Sequence, residues 1–188
     1  MKTRLQGKAV ALLVTDGFEQ TELTEPKEAL EGAGATVHIV APKAGHVQGW
    51  KHTEKGDAFA VDVRLATAKP ADYWAVVLPG GVINADHLRM DPDAVAFVRD
   101  FNGKGKIIAA ICHGAWILIE ADAVGGKRVT SYASLQTDLR NAGAQWVDEE
   151  VVLDGHLITS RTPADLPAFN AAIIEVLAKA APAKQGVT

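Results

Sequence analysis

The chain alternates between short apolar runs and polar segments that contain glycine. Three of these runs, residues 8–14, residues 73–78 and Ile107–Ile111, consist mainly of aliphatic residues. Runs of this length and composition are typical of strands that are buried on both faces of a parallel sheet. Each run is followed by small or polar residues, so the sequence predicts strands that open onto short connections.

Helical patterns separate the predicted strands. Residues 91–102 begin with an aspartate and a proline, and apolar residues then recur at helical spacing. A second helix is predicted with Pro26 near its start, and a last helix over residues 162–180. Strands that alternate with helices are typical of the α/β class, so we expect a doubly wound, mostly parallel sheet sandwiched by helices. Residues 47–50 and 59–63 are expected to form a hairpin at its edge.

Composition narrows the choice of protein class. The 188 residues are 48% hydrophobic, which is enough for one domain over residues 1–188, with a frayed tail at 182–188. The 19 basic and 23 acidic residues give a net charge of −4 without long runs of one sign, which argues against a nucleic-acid partner. There is no apolar stretch of membrane length, and a single cysteine cannot form an internal disulfide. We therefore expect a cytoplasmic protein that does not bind membranes.

The segment 107–121 contains the strongest chemical signal in the chain. An apolar run ends at Cys112-His113-Gly114, and a second apolar segment follows at once. This order of strand, sharp turn and helix is typical of a nucleophile elbow, here with cysteine as the nucleophile. Unpaired backbone N–H groups at a helix start favour the thiolate, so we predict a lowered pKa for Cys112. The alternative is that Cys112 is a small buried hydrophobic residue.

Two loops are predicted to lie beside this elbow. The first predicted strand is followed by a loop that ends at Glu19, at the edge of the sheet where ligands bind in open α/β folds. The strand at 73–78 is followed by Pro79-Gly80-Gly81, and paired glycines allow the backbone to approach a reacting group closely. The amides of Gly81 and His113 would then form an oxyanion hole that faces Cys112. A plain turn at Gly81 is the alternative.

The sequence resembles the ThiJ/PfpI superfamily over nearly its whole length, and the PfpI branch most of all. The resemblance implies the fold of class I glutamine amidotransferases. It depends on several motifs that occur together and in order: Asp16-Gly17-Phe18-Glu19, Leu78-Pro79-Gly80-Gly81, Ala110-Ile111-Cys112-His113-Gly114, Thr130-Ser131-Tyr132, a segment at 138–144 and a segment at 159–167.

The resemblance also implies catalytic roles. Cys112 matches the family's nucleophile and His113 its general base. Glu19 matches the glutamate that reaches the nucleophile, and a protonated carboxyl there would donate a hydrogen bond to sulfur. Asp86 matches the acidic residue that orients the histidine across a subunit interface. This chain departs from the peptidase pattern at Asp86, because its loop is one residue longer and holds aspartate instead of glutamate.

Three functions are compatible with such a site. The resemblance favours a PfpI-like cysteine hydrolase, an intracellular peptidase-like protein with a role in the general stress response. One alternative is a glyoxalase or deglycase that acts on α-oxoaldehydes or glycated groups. The other is a redox sensor or holdase chaperone that works through oxidation of Cys112. The resemblance further implies a homodimer or higher oligomer and a peptide or small aldehyde as substrate. We expect neither a cofactor nor a metal.

Overall fold

The computed structural model describes residues 4–180, so the predicted tail at 182–188 lies outside the described residues. Within this range the chain forms strands and helices that alternate as the sequence pattern indicates. The strands are β1 Ala9–Leu13, β2 Phe18–Glu19, β3 Thr36–Ala41, β4 His46–Lys51, β5 Glu54–Ala60, β6 Val63–Arg64, β7 Ala75–Leu78, β8 Ile107–Ile111, β9 Arg128–Val129, β10 Gln145–Trp146, β11 Val151–Asp154 and β12 Leu157–Ser160. The helices are α1 Gln20–Gly32, α2 Val82–Met90, α3 Pro92–Gly103, α4 Trp116–Glu120, α5 Gln136–Asn141 and α6 Leu166–Lys179.

Seven strands form the central sheet, in the order β11-β12-β8-β7-β1-β3-β6. All neighbouring pairs are parallel except β11 and β12, which are antiparallel at one edge. The predicted α/β class with a mostly parallel sheet is therefore confirmed. The three predicted buried strands, now β1, β7 and β8, are neighbours at the centre, so the loops that follow them meet at one edge of the sheet.

Helices cover both faces of the sheet. One apolar core joins the sheet to α1 and α6, for example through Leu23 and Phe169. The opposite core joins it to α2, α3, α4 and α5, for example through Leu88 and Phe101. Because both faces are covered, the central strands are apolar on both sides, as their continuous hydrophobic runs predict.

A small second sheet contains the predicted hairpin. Strands β4 and β5 pair antiparallel, and β2 adds to β4 in parallel, so that Glu19 lies beside Trp50. The hairpin is longer than residues 47–50 and 59–63 indicate, and its second strand ends at Ala60. It extends from the end of the central sheet that carries the predicted site.

Three helix predictions need correction. Helix α1 begins at Gln20, so Pro26 lies inside it and not near its start. Residues 82–90, which were expected to form a loop, form helix α2. The last helix, α6, begins at Leu166 after a 3₁₀ turn, and the side chain of Thr162 does not cap it. None of the helices in residues 4–180 combines the length and apolar character needed to cross a membrane.

Candidate active site

Cys112 occupies a strained turn at the carboxyl end of β8. Its φ angle is +60°, a left-handed conformation that side chains rarely adopt. The turn continues as a 3₁₀ helix over Cys112–Ala115 and leads directly into α4. A side chain at Gly114 would overlap the carbonyl oxygen of Leu78, so this position of the turn has room only for glycine. The predicted nucleophile elbow is therefore present in the fold.

The sulfur of Cys112 is almost enclosed. Cys112 is only 8% exposed. The backbone N–H groups of His113 and Gly81 both donate hydrogen bonds to its sulfur. A Cβ added to Gly80 would lie 2.8 Å from the Cβ of Cys112, so the backbone after β7 approaches the nucleophile closely. The two amides proposed for an oxyanion hole thus point at the nucleophile, while their role in catalysis stays a prediction.

A carboxylic acid that was not among the predicted site residues lies against the thiol. Glu22, in the first turn of α1, is fully buried and forms a side-chain hydrogen bond with Cys112. Its Oε2 accepts a hydrogen bond of 2.7 Å from the backbone N–H of Gly80. Its Oε1 is buried with no hydrogen-bond partner among the described residues. Such an oxygen, next to a nucleophile, is available to a substrate.

Glu19 does not make the contact that was predicted for it. Its Oε2 accepts a hydrogen bond of 3.0 Å from the backbone N–H of His52 and lies 3.8 Å from Nδ1 of the same residue. Glu19 precedes α1, whereas Glu22 lies within the helix, so the two side chains leave the backbone in different directions. The prediction that Glu19 reaches the thiol was wrong, and Glu22 takes that position.

His113 contacts the nucleophile with one ring nitrogen and a hydroxyl with the other. Its Nδ1 lies 3.3 Å from the Cys112 sulfur, and its Nε2 lies 3.3 Å from Oγ of Ser134. The ring stacks on Tyr132 at a centroid distance of 4.8 Å and meets Trp116 edge-on at 5.3 Å. Across residues 4–180, no carboxylate forms an ion pair with His113, and Ser134 is the group that holds its second nitrogen.

Asp86 lies apart from this arrangement. It is exposed on helix α2, and no hydrogen bond or ion pair joins it to His113 within residues 4–180. A role for Asp86 therefore requires a second copy of the chain and stays a prediction. No group of three or more histidine, cysteine or acidic side chains in residues 4–180 is arranged to hold a metal ion.

Comparison with known proteins identifies the family of this chain. The model of the DJ-1/PfpI family matches residues 8–176. The chain belongs to the DJ-1/PfpI family. A relative from Escherichia coli strain K12 that is named protein/nucleic acid deglycase 2 is 42% identical over 172 residues, which cover 90% of this chain and 98% of the relative.

Solved structures of this family share the fold. A two-domain protein from Anabaena variabilis, with DJ-1/ThiJ/PfpI-like and ferritin-like domains, has a TM-score of 0.86 and 35% identity. That match covers 96% of this chain but 52% of the Anabaena chain. DJ-1beta of Drosophila melanogaster has a TM-score of 0.82 and 29% identity, and the match covers 92% of this chain and 91% of the fly protein.

Burial dominates the electrostatics of this DJ-1/PfpI site. Burial raises the pKa of Glu22 to about 8, so its carboxyl is protonated at neutral pH. Burial and the charge of an ionised Glu22 also raise the pKa of Cys112, against the effect of the two backbone amides. Burial lowers the pKa of His113, whose imidazole is therefore neutral at pH 7 and able to accept a proton.

The lowered thiol pKa expected from the sequence is not found, for two physical reasons. The turn at Cys112 is a short 3₁₀ helix followed by a helix of five residues, so the helix dipole is small. The enclosure of the sulfur penalises the thiolate, and a sequence pattern does not reveal that enclosure.

Helical spacing contains the signal that would have identified Glu22. Glu22, Pro26 and Leu30 follow one another at intervals of four residues, and all three are buried on one face of α1. A glutamate on the apolar face of a helix is rare unless it has a partner or a function. The signal was missed because the helix was expected to start near Pro26, which left Glu22 in a loop.

Proposed function

We propose that this protein is a cysteine-dependent deglycase or glyoxalase that acts on α-oxoaldehydes and on their early adducts with amines. The observation that carries the proposal is the buried, protonated carboxyl of Glu22 against the thiol of Cys112. This pair combines a nucleophile with a group that can donate and then accept a proton. The name of the 42% identical Escherichia coli relative supports the same chemistry.

The hypothesis that the protein is a peptidase has less support. A peptidase must admit an extended chain to its nucleophile, yet Cys112 is 8% exposed. It also needs an acid to orient the base, and Ser134 is the partner of His113 within the chain. A small aldehyde needs neither an open groove nor a third acidic residue. We therefore favour the smaller substrate.

The reaction begins when the sulfur of Cys112 attacks the aldehyde carbon. His113 accepts the thiol proton, a C–S bond forms, and the carbonyl oxygen takes a proton from Glu22 to give a hemithioacetal. With an amine adduct, the sulfur displaces the amine. The C–N bond breaks, the amine leaves with the proton that Glu22 donates, and the carbon keeps its hydroxyl group. In this proposal the N–H groups of Gly81 and His113 stabilise negative charge on oxygen during this step.

The second stage is an internal rearrangement followed by hydrolysis. Glu22, now ionised, removes the proton from the carbon bonded to sulfur and returns it to the neighbouring carbon, while the hydroxyl proton moves to the neighbouring oxygen. The first carbon is oxidised and the second reduced, so the step needs no external oxidant. Water then hydrolyses the resulting thioester, which releases a 2-hydroxy acid and restores the thiol.

The test is turnover of methylglyoxal to lactate by the purified protein. We expect Cys112→Ala to abolish it and Glu22→Gln to lower kcat by a factor of roughly 10² to 10⁴, because proton transfer is lost. Glu25→Gln is the matched control, since Glu25 is exposed on the same helix and should leave the rate unchanged. Cysteine-dependent cleavage of a fluorescent peptide library without aldehyde turnover would overturn the proposal in favour of a peptidase.

A further inference from the structure

A cavity of about 330 Å³ opens beside the candidate nucleophile. Its walls come from the loop before α1, the tip of the hairpin β4–β5 and the start of α2. Its lining includes Glu19, Trp50, His52 and Gly81. Neither Cys112 nor Glu22 lines it, so the chemistry proposed above leaves this space without a role.

Gly81 connects the cavity to the nucleophile. Its backbone N–H donates to the sulfur of Cys112, and the same residue forms part of the cavity wall. Gly81 has a φ angle of +84°, and a side chain there would collide with the backbone of Gly17 and Glu19. Gly81 therefore borders both the sulfur of Cys112 and the cavity.

Glu19 places one fixed carboxylate in the cavity. Its side chain is 12% exposed, and the backbone N–H of His52 holds Oε2 at 3.0 Å. His52 itself has a left-handed φ of +58° at the tip of the hairpin, with its side chain 83% exposed. The hairpin tip therefore orients Glu19 through a backbone donor, while the ring of His52 remains in solvent.

Trp50 adds an aromatic surface to the same wall. It is partly buried and pairs with Glu19 in the register of β2 and β4. No lysine or arginine among residues 4–180 lines the cavity, and the one basic ring near Glu19 is that of His52, which is largely exposed. The lysine next to Trp50, Lys51, forms an ion pair of 3.8 Å with Asp57. A carboxylate beside an indole in such a cavity is suited to a planar cationic ligand.

We propose that this cavity is a subsite for the cationic amine portion of the substrate, with Glu19 and Trp50 as its specificity-determining residues. The inference builds on the proposed deglycase function and narrows it to adducts on guanidinium groups, as in arginine side chains. The α-oxoaldehyde carbon reacts at Cys112 while the guanidinium lies past Gly81 against Glu19. A phosphate in this position would meet the same carboxylate, so adducts of nucleotides are poorer substrates.

Binding of the amine product tests the subsite without any turnover. Nα-acetylarginine amide should bind the wild-type protein, and Glu19→Gln should weaken that binding by roughly tenfold because a charge-assisted hydrogen bond is lost. Trp50→Leu should weaken it as well. Glu54→Gln is the matched control, since Glu54 is an exposed carboxylate of the same hairpin that does not line the cavity. Equal affinities in Glu19→Gln and wild type would overturn the proposal.

Substrate preference provides the second readout. We compare kcat/KM for methylglyoxal adducts of Nα-acetylarginine amide, of neutral Nα-acetylcysteine amide and of guanosine monophosphate. Glu19→Gln should reduce the preference for the cationic adduct over the neutral one and raise the relative rate of the anionic one. An unchanged order of preference would contradict the subsite. If the amine binds through Glu19 but no adduct turns over, the proposed function fails and the cation site stands.

Discussion

Two glutamates three positions apart have different surroundings in this protein. Glu19 is held at the rim of a cavity by the backbone of His52, whereas Glu22 is buried against Cys112. A family motif around Glu19 was enough to predict that an acid meets the thiol, but not which acid. The choice depends on where α1 begins, because the helix turns only residues within it toward the sheet.

The burial of Glu22 predicts a pH-dependent stability. Its pKa is raised from 4.5 to about 8, so between these values the folded protein keeps a proton that the unfolded chain has lost. Stability should therefore fall as the pH rises through this window, by up to about 1.4 kcal/mol per pH unit, and level off above it. In Glu22→Gln this slope should disappear.

Denaturant unfolding at a series of pH values measures the effect. The free energy of unfolding of each variant is plotted against pH. Glu25→Gln serves as the control, because its exposed carboxylate should leave the slope in place. A wild-type protein whose stability is constant from pH 4.5 to 8 would show that Glu22 ionises normally in the fold.

At the scale of elements, the site forms where the connections after β1, β7 and β8 meet. Asn84 of α2 ties two of them together, since its Nδ2 donates to the carbonyl oxygens of Pro79 and Gly80 and its Oδ1 accepts from the N–H of Thr15. The turn glycines allow these backbones to approach each other. The geometry around Cys112 therefore depends on turns as much as on side chains.

The elements differ in how well the sequence predicts them. Strand β8 and helix α3 follow their apolar patterns. Helix α3 begins at Pro92, directly after Asp91, whose side chain accepts hydrogen bonds from two backbone N–H groups. Helix α2 was missed because its pattern is inverted: Asn84 is buried, while Val82 and Ile83 are about half exposed. The partners of Asn84 are backbone atoms of turns that are distant in the sequence. A buried polar residue of this kind interrupts the apolar periodicity that would otherwise indicate a helix.

The turn at Cys112 predicts that alanine substitutions at two glycines have very different effects on stability. A methyl group at Gly114 would overlap the carbonyl oxygen of Leu78, so Gly114→Ala should lower the free energy of unfolding by about 1–3 kcal/mol and displace Cys112. Gly125 has no atom near the position of an added Cβ, and Gly125→Ala should change stability by less than about 0.5 kcal/mol. Chemical denaturation and the rate of Cys112 alkylation measure both effects; similar results for the two variants would refute the role assigned to the turn.

At the scale of the whole molecule, the question is whether a residue of one copy of the chain completes the active site of another copy. Asp86 lies on the exposed side of α2, four residues before Met90, which is 77% exposed. Residues four apart share a helix face, so an acidic and an apolar side chain project together into solvent. We expect a homodimer or higher oligomer, as the family resemblance implies, and sedimentation equilibrium measures it.

Mixing two inactive variants tests whether Asp86 acts in a neighbouring copy. If it orients His113 across a dimer interface, Asp86→Asn should lose activity, and mixing it with Cys112→Ala should restore about a quarter of the wild-type turnover after random exchange. The active site in such a mixed dimer has Cys112 from one chain and Asp86 from the other.

The control is a mixture of Cys112→Ala with Glu22→Gln. It should recover no activity, because Glu22 and Cys112 belong to the same chain's site. Full activity of Asp86→Asn alone, or no recovery on mixing, would leave Asp86 as a solvent-facing carboxylate and Ser134 as the partner that orients His113.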